Sequence, residues 1–146
     1  MLYNEEFEKF KPIDYYSIAN ELFNKKEILE CNSNALFRCI VSRAYYAAFL
    51  HIRQFLKNEE YSFDGFNEHE RVINILKKDK PIGMSFKNND IKDKLWALKK
   101  NRIVCDYKFK CPDKNNDWSN KDLDVLLNDS KWIIDNVSVE KFSDGE

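Results

Sequence analysis

The stretch VSRAYYAAFLHIRQFL, Val41–Leu56, decides the fold. At helical spacing one apolar row reads Phe37, Val41, Ala44, Ala48, Ile52, Phe55, and an adjacent row reads Leu36, Ile40, Arg43, Ala47, Leu50. Two adjoining rows make a wide apolar stripe, as expected of a central, largely buried helix. The period predicts this helix from about Ser33 to Lys57. The small side chains of Ala44, Ala47 and Ala48 predict that a neighbouring helix approaches closely. Arg43 interrupts the apolar row. A guanidinium does not lose its charge in a protein, so a cation at such a position must be paired or must face a wet cleft.

Working outward, four more helices are expected. The first runs from about Asp14 to Glu30, with Pro12 ahead of it and Asp14 able to cap free N–H groups. Its Ile18, Leu22 and Phe23 share one face. A short third helix opens at Asn67 in NEHERVINILKKD, with Val72, Ile73 and Leu76 facing inward, and Pro81 and Gly83 end it. The fourth runs from about Asn89 to Phe109, with the apolar row Ile91, Leu95, Leu98, Arg102, Cys105, Phe109. Here again an arginine stands where the period demands an apolar side chain. The fifth starts at Ser119, whose partner three residues on, Asp122, resembles a capping box. Its buried side is Leu123, Leu126, Leu127, Trp132, Ile133 and Ile134.

Composition agrees with helices. The 146 residues include only three Gly and three Pro, too few for a turn-rich sandwich or barrel. Amphipathic helices with short connections pack antiparallel to their neighbours. The expectation is an all-α, up-and-down helical bundle of four to five helices, one domain over residues 1–146 with its core at about 14–139. Net charge is −1, so no global field draws the chain to nucleic acid or membrane. The longest apolar run, Tyr45–Leu50, is far too short to span a bilayer, and the acidic start MLYNEEFEKF lacks the apolar stretch of a signal peptide. A cytoplasmic protein with free, buried thiols is expected, since Cys31, Cys39, Cys105 and Cys111 form no metal-binding spacing.

Two constellations carry possible chemistry. Arg43 and Arg102, if their helices are neighbours, open onto one cleft; the structural alternative pairs Arg102 with Asp106 one turn on and completes the network with tyrosine hydroxyls. The segment Lys99–Lys114 sets Lys99, Lys100, Arg102, Lys108, Lys110 and Lys114 against Asp106 and Asp113, with Tyr107 and Phe109 interleaved. Basic side chains alternating with aromatics suit single-stranded nucleic acid, although most lysine clusters are solvated helix faces. No Gly-rich loop is present to cradle a nucleotide phosphate. His51 is expected to face the core as a satisfied imidazole. His69, near a helix start among acidic residues, is expected to be exposed.

SRAYYAAFLHIRQFL, Ser42–Leu56, resembles the S-R-A-Y-Y-A-x-F-H helix of HEPN domains (higher eukaryotes and prokaryotes nucleotide-binding). LKKNRIVCDYKF, Leu98–Phe109, is similar to their second hallmark, L-x-x-x-R-x-x-A-D-Y. The likeness extends from roughly Glu30 to Val139 and is to the R-x-x-x-D-Y branch of the family. Active members carry an arginine and, after four to six intervening residues, a histidine; the corresponding window here holds Tyr107, Lys108 and Phe109. The resemblance implies a bundle that often forms homodimers, and an RNA-binding or metal-independent endoribonuclease activity, with no cofactor, in a prokaryotic toxin–antitoxin or phage-defence module. It also implies an alternative: a non-catalytic helical partner of a minimal nucleotidyltransferase, or a protein paired with an antitoxin. Carried over residue by residue, Arg102, Asp106 and Tyr107 are the expected catalytic set. Arg43, Tyr46, Lys99, Lys100, Asn101 and Lys108 are the expected RNA or nucleotide contacts.

Overall fold

Five helices account for the regular structure of the described residues: α1 Pro12–Asn24, α2 Ser33–Asn58, α3 Glu68–Lys78, α4 Asn88–Tyr107 and α5 Asn120–Asn136. The computed structural model describes residues 11–64, 67–78, 88–107 and 119–138. The chain forms an all-α helical bundle. None of the described helices is long and apolar enough to cross a membrane.

α2 is the hub, touching each of the other four helices, while α4 packs on α2, α3 and α5. The sequence pattern accounts for this role. Ile40, Val41, Ala44, Tyr45, Ala47, Ala48, Phe49, Ile52 and Leu56 are all buried, so the wide stripe is used on both flanks. At Ala44, α5 approaches closely enough for the Ser130 hydroxyl to donate to the alanine carbonyl at 2.7 Å. A second tie joins the same two helices: His51 donates from Nε2 to the Val137 carbonyl, just beyond α5. Burial pulls the His51 pKa below its ordinary value, opposed by that hydrogen bond and by Asp135, so the imidazole is held neutral as a satisfied core group.

Helix ends follow local chemistry. Asn32 caps α2 by accepting from the Ala35 N–H at 3.0 Å. Ser119 and Asp122 form the full reciprocal box at α5, with bonds of 2.9 and 3.1 Å. At α1, Pro12 takes the first helical position and Asp14 accepts from the Lys11 N–H at 2.9 Å.

The first helix stops at Asn24 rather than near Glu30. A turn over Lys25–Ile28 intervenes, and the Lys26 ammonium donates to the Phe23 carbonyl at 3.3 Å, satisfying a helix-end acceptor. Ile18 is 49% exposed because the register of α1 turns Ala19 inward, and Ile28, in the turn beyond the helix, is 75% exposed. In α3 the third buried residue is Ile75, with Ile73 only partly covered at the margin. Cys105 is buried as expected, but Cys31 in the α1–α2 connection and Cys39 on the outer side of α2 are exposed.

Candidate functional site

Arg102 lies on α4 at the point where that helix faces α2. Its position in the buried row leaves the side chain only 12% exposed. The charge is compensated from two directions. Nε approaches Asp106 Oδ2 at 2.8 Å, one helical turn on, and Nη2 donates to the Tyr46 hydroxyl at 2.6 Å. The guanidinium also lies over the rings of Tyr46 and Tyr45, 5.1 and 5.6 Å from their centroids. The two structural features expected of this arginine, an i,i+4 carboxylate and a tyrosine hydroxyl, are therefore both present. Asp106 is the more open member of the ion pair, with 31% of its side chain accessible.

Arg43 reaches the same assembly through an aromatic relay. Its guanidinium sits 5.2 Å from the Tyr15 ring centroid, and Tyr15 in turn lies 6.2 Å from Tyr46. The two arginines that break the apolar rows of α2 and α4 are thus joined by two tyrosines, one from α1 and one from α2.

α3 adds a residue whose acidic neighbours in sequence suggest exposure to solvent. His69 is half-buried, not exposed. Its ring stacks on Phe49 at 4.2 Å and on Tyr45 at 5.6 Å, and meets Tyr46 edge-on at 6.1 Å. Nδ1 is hydrogen-bonded to the Tyr45 hydroxyl at 2.5 Å. The signal for this placement is periodic: His69, Val72 and Leu76 stand at i, i+3 and i+7, so the histidine heads the buried row of α3. The acidic neighbour that suggested exposure, Glu68, is engaged elsewhere, accepting from Arg53 at 2.8 Å, and that hydrogen bond lowers its pKa.

The electrostatics of this cluster favour a protonated Tyr45 and a neutral His69. Burial pushes the Tyr45 phenol well above its ordinary range, with Arg102 only partly opposing, so the hydroxyl stays protonated. Burial also lowers the His69 pKa, and the nearby cations Arg102 and Lys99 lower it further against the pull of Glu68. His69 is accordingly a neutral imidazole set beside two fixed positive charges.

The other expected contacts divide between the cluster and the rest of α4. Lys99 belongs to it electrostatically, and its ammonium also lies 5.6 Å from the Trp96 ring centroid. Lys100 is exposed about 160° around the helix from Arg102, at 100° per residue. Asn101, on the other flank, donates to the Ala97 carbonyl of its own helix at 2.8 Å. Tyr107 ends α4, and its side chain, like the whole of Lys108, lies outside the described residues.

One further contact had no sequence signal. Arg38 of α2 donates from Nη1 to the carbonyls of Val104 and Cys105 at 3.0 and 2.9 Å, while its Nε bonds Asn34 at 2.9 Å. These carbonyls belong to the last turn of α4, where no intrahelical donor is available. Arg38 thereby fixes the end of the helix that carries Arg102 and Asp106.

No three His, Cys, Asp or Glu side chains among the described residues gather in a way that could hold a metal ion. Comparisons with protein-family models, with curated proteins and with solved structures return no match to this chain.

Proposed function

We propose that this chain is a HEPN-like protein that binds RNA through its phosphate backbone at the Arg102 cluster, within a prokaryotic toxin–antitoxin or phage-defence module. The observation that supports the reading best is the setting of Arg102. It is a mostly covered cation, oriented by Asp106 and Tyr46, with Lys99 and the aromatic rings of Tyr45 and Tyr46 around it. Arginine suits phosphate because its planar set of donors matches the oxygen geometry and its charge is permanent. In this reading Arg102 holds the phosphate and Asp106 orients its guanidinium. Tyr46 lines the site, Lys99 adds local positive charge, and Arg43 extends the cationic face through Tyr15. In a homodimer, two copies of Arg102 facing one another would offer a two-cation site to a single backbone.

The near-neutral net charge favours a second reading, a non-catalytic helical partner of a minimal nucleotidyltransferase. Incubation with total RNA, parent against Arg102→Ala, with sizing by gel filtration, separates the two. RNA bound by the parent and not by the variant supports the proposal. Equal binding by both overturns the site. Absence of binding by the parent, together with co-purification of a small nucleotidyltransferase, favours the second reading.

A further inference from the structure

We infer that Trp96 of α4 stacks a base of the single-stranded RNA whose phosphate Arg102 holds. This contact rests on the phosphate-binding reading above and adds the base to it.

Trp96 is poorly placed for a structural role. The residue is 49% exposed, the most exposed aromatic among the described residues, and the other exposed large apolar side chains are aliphatic. Trp132 of α5 shows the contrast. It is partly buried against the core, and the Lys94 ammonium beside its ring is paired with Asp129 at 3.3 Å. Trp96 has neither that cover nor a neutralised cation beside it. An indole with half its surface open has room for one stacked ring.

Its position on α4 joins it to the cluster. Trp96, Lys99 and Arg102 stand at i, i+3 and i+6, so each is the surface neighbour of the next. This ridge turns about 120° around the helix and rises about 9 Å, from the open side of α4 to the edge that faces α2. Lys99 spans the step. Its ammonium lies 5.6 Å from the Trp96 centroid, close enough to orient the ring. Its charge also reaches His69, which packs with Arg102 against Tyr45 and Tyr46.

The charges around the indole select a polyanion. Lys99 and Lys100, three and four residues beyond it, have no ion-pair partner among the described residues. Asp93, three residues before it, is taken up by Lys92 at 3.6 Å. Ile103, 36% exposed, extends the apolar surface one turn beyond Lys99. An open aromatic flanked by unpaired cations fits a chain that alternates phosphates with π faces, which is single-stranded nucleic acid. An apolar protein face would strip water from both ammonium groups without compensating them. Stacking of this kind tolerates any sequence, because every base has a face to offer.

Parent, Trp96→Ala and Trp96→Phe are titrated as full chains against two strands of the same length and charge, a mixed-sequence single-stranded RNA and an abasic ribose-phosphate strand. Fluorescence anisotropy gives the affinities. The parent is expected to bind the RNA about 5- to 150-fold more tightly than the abasic strand. Trp96→Ala should lose that preference and bind both strands at the parent's abasic affinity. Trp96→Phe, which keeps an aromatic face, should retain part of it. The slope of log K against log salt should stay at the parental value in both variants, because the indole neutralises no phosphate. Should Trp96→Ala lose the circular dichroism spectrum of the parent, Trp96→Gln carries the comparison. A Trp96→Ala protein that keeps the parental preference, or that weakens on both strands alike, overturns the role of Trp96 and leaves the phosphate site standing. So does a parent that binds the two strands equally. A parent that binds neither strand overturns both.

Discussion

The Arg102 guanidinium donates from Nη2 to the Tyr46 hydroxyl at 2.6 Å, tying the last third of α4 to the middle of α2. Tyr46→Phe keeps the ring beneath the cation and removes only the acceptor. A hydrogen bond to a charged group in a mostly covered setting predicts a loss of about 1–2 kcal/mol in unfolding free energy. Urea unfolding checks this, and an unchanged midpoint would show that the bond contributes nothing to the fold.

Arg102→Met separates stability from binding. The substitution removes a covered cation and leaves Asp106 on the rim, where water can solvate the carboxylate. The expected change in stability is within about 1 kcal/mol of the parent, in either direction, because apolar replacements of such cations are often tolerated. RNA binding should nevertheless be lost. A variant that unfolds would mean that Arg102 serves the core first.

The seam between α2 and α5 depends on small side chains. Ser130→Ala removes the hydroxyl that reaches the Ala44 carbonyl and should cost roughly 1 kcal/mol. Ala48→Leu, at a position with no exposure, must push a neighbouring helix outward and should cost about 1–3 kcal/mol or more. Thermal unfolding of the two variants ranks them, and the reverse order would contradict close packing around Ala48.

Much of this architecture could be read from periodicity alone. α2 was expected at Ser33–Lys57 and ends one residue later, and the capping pair of α5 stands where Ser119 and Asp122 predicted it. Both depend on local patterns that tertiary packing does not alter. The end of α1 could not be read in this way, since Ile28 and Leu29 look like a continuing stripe until the turn at Lys25 diverts them. In the site, the Arg102–Asp106 pair is local to one helix and was legible. His69 was misjudged because its charged neighbours outweighed its place on the row with Val72 and Leu76. Arg38 was invisible for a different reason: it satisfies the end of another helix, and only the docking of α4 on α2 brings those carbonyls to it.

Stability should depend on pH through the two histidines. His51 and His69 both have pKa values lowered from 6.5 in the fold. Below that value the unfolded chain binds more protons than the native one, so unfolding free energy rises with pH there. The stabilisation is fully present above pH 6.5 and is lost as the pH falls through the folded values. His51→Gln, which can still donate to the Val137 carbonyl, should flatten the dependence between pH 6.5 and about pH 5, above the range where carboxylates titrate. A parent whose melting temperature is constant across that window would contradict imidazoles held neutral in the fold.

Arg102 is the residue proposed to contact RNA phosphate. The most direct test is the salt dependence of binding to a single-stranded RNA, parent against Arg102→Met, followed by fluorescence anisotropy. Loss of one phosphate contact predicts weaker binding at every salt concentration and a slope of log K against log salt that is shallower by about 0.7. Parallel lines of equal affinity would show that Arg102 does not contact the phosphate.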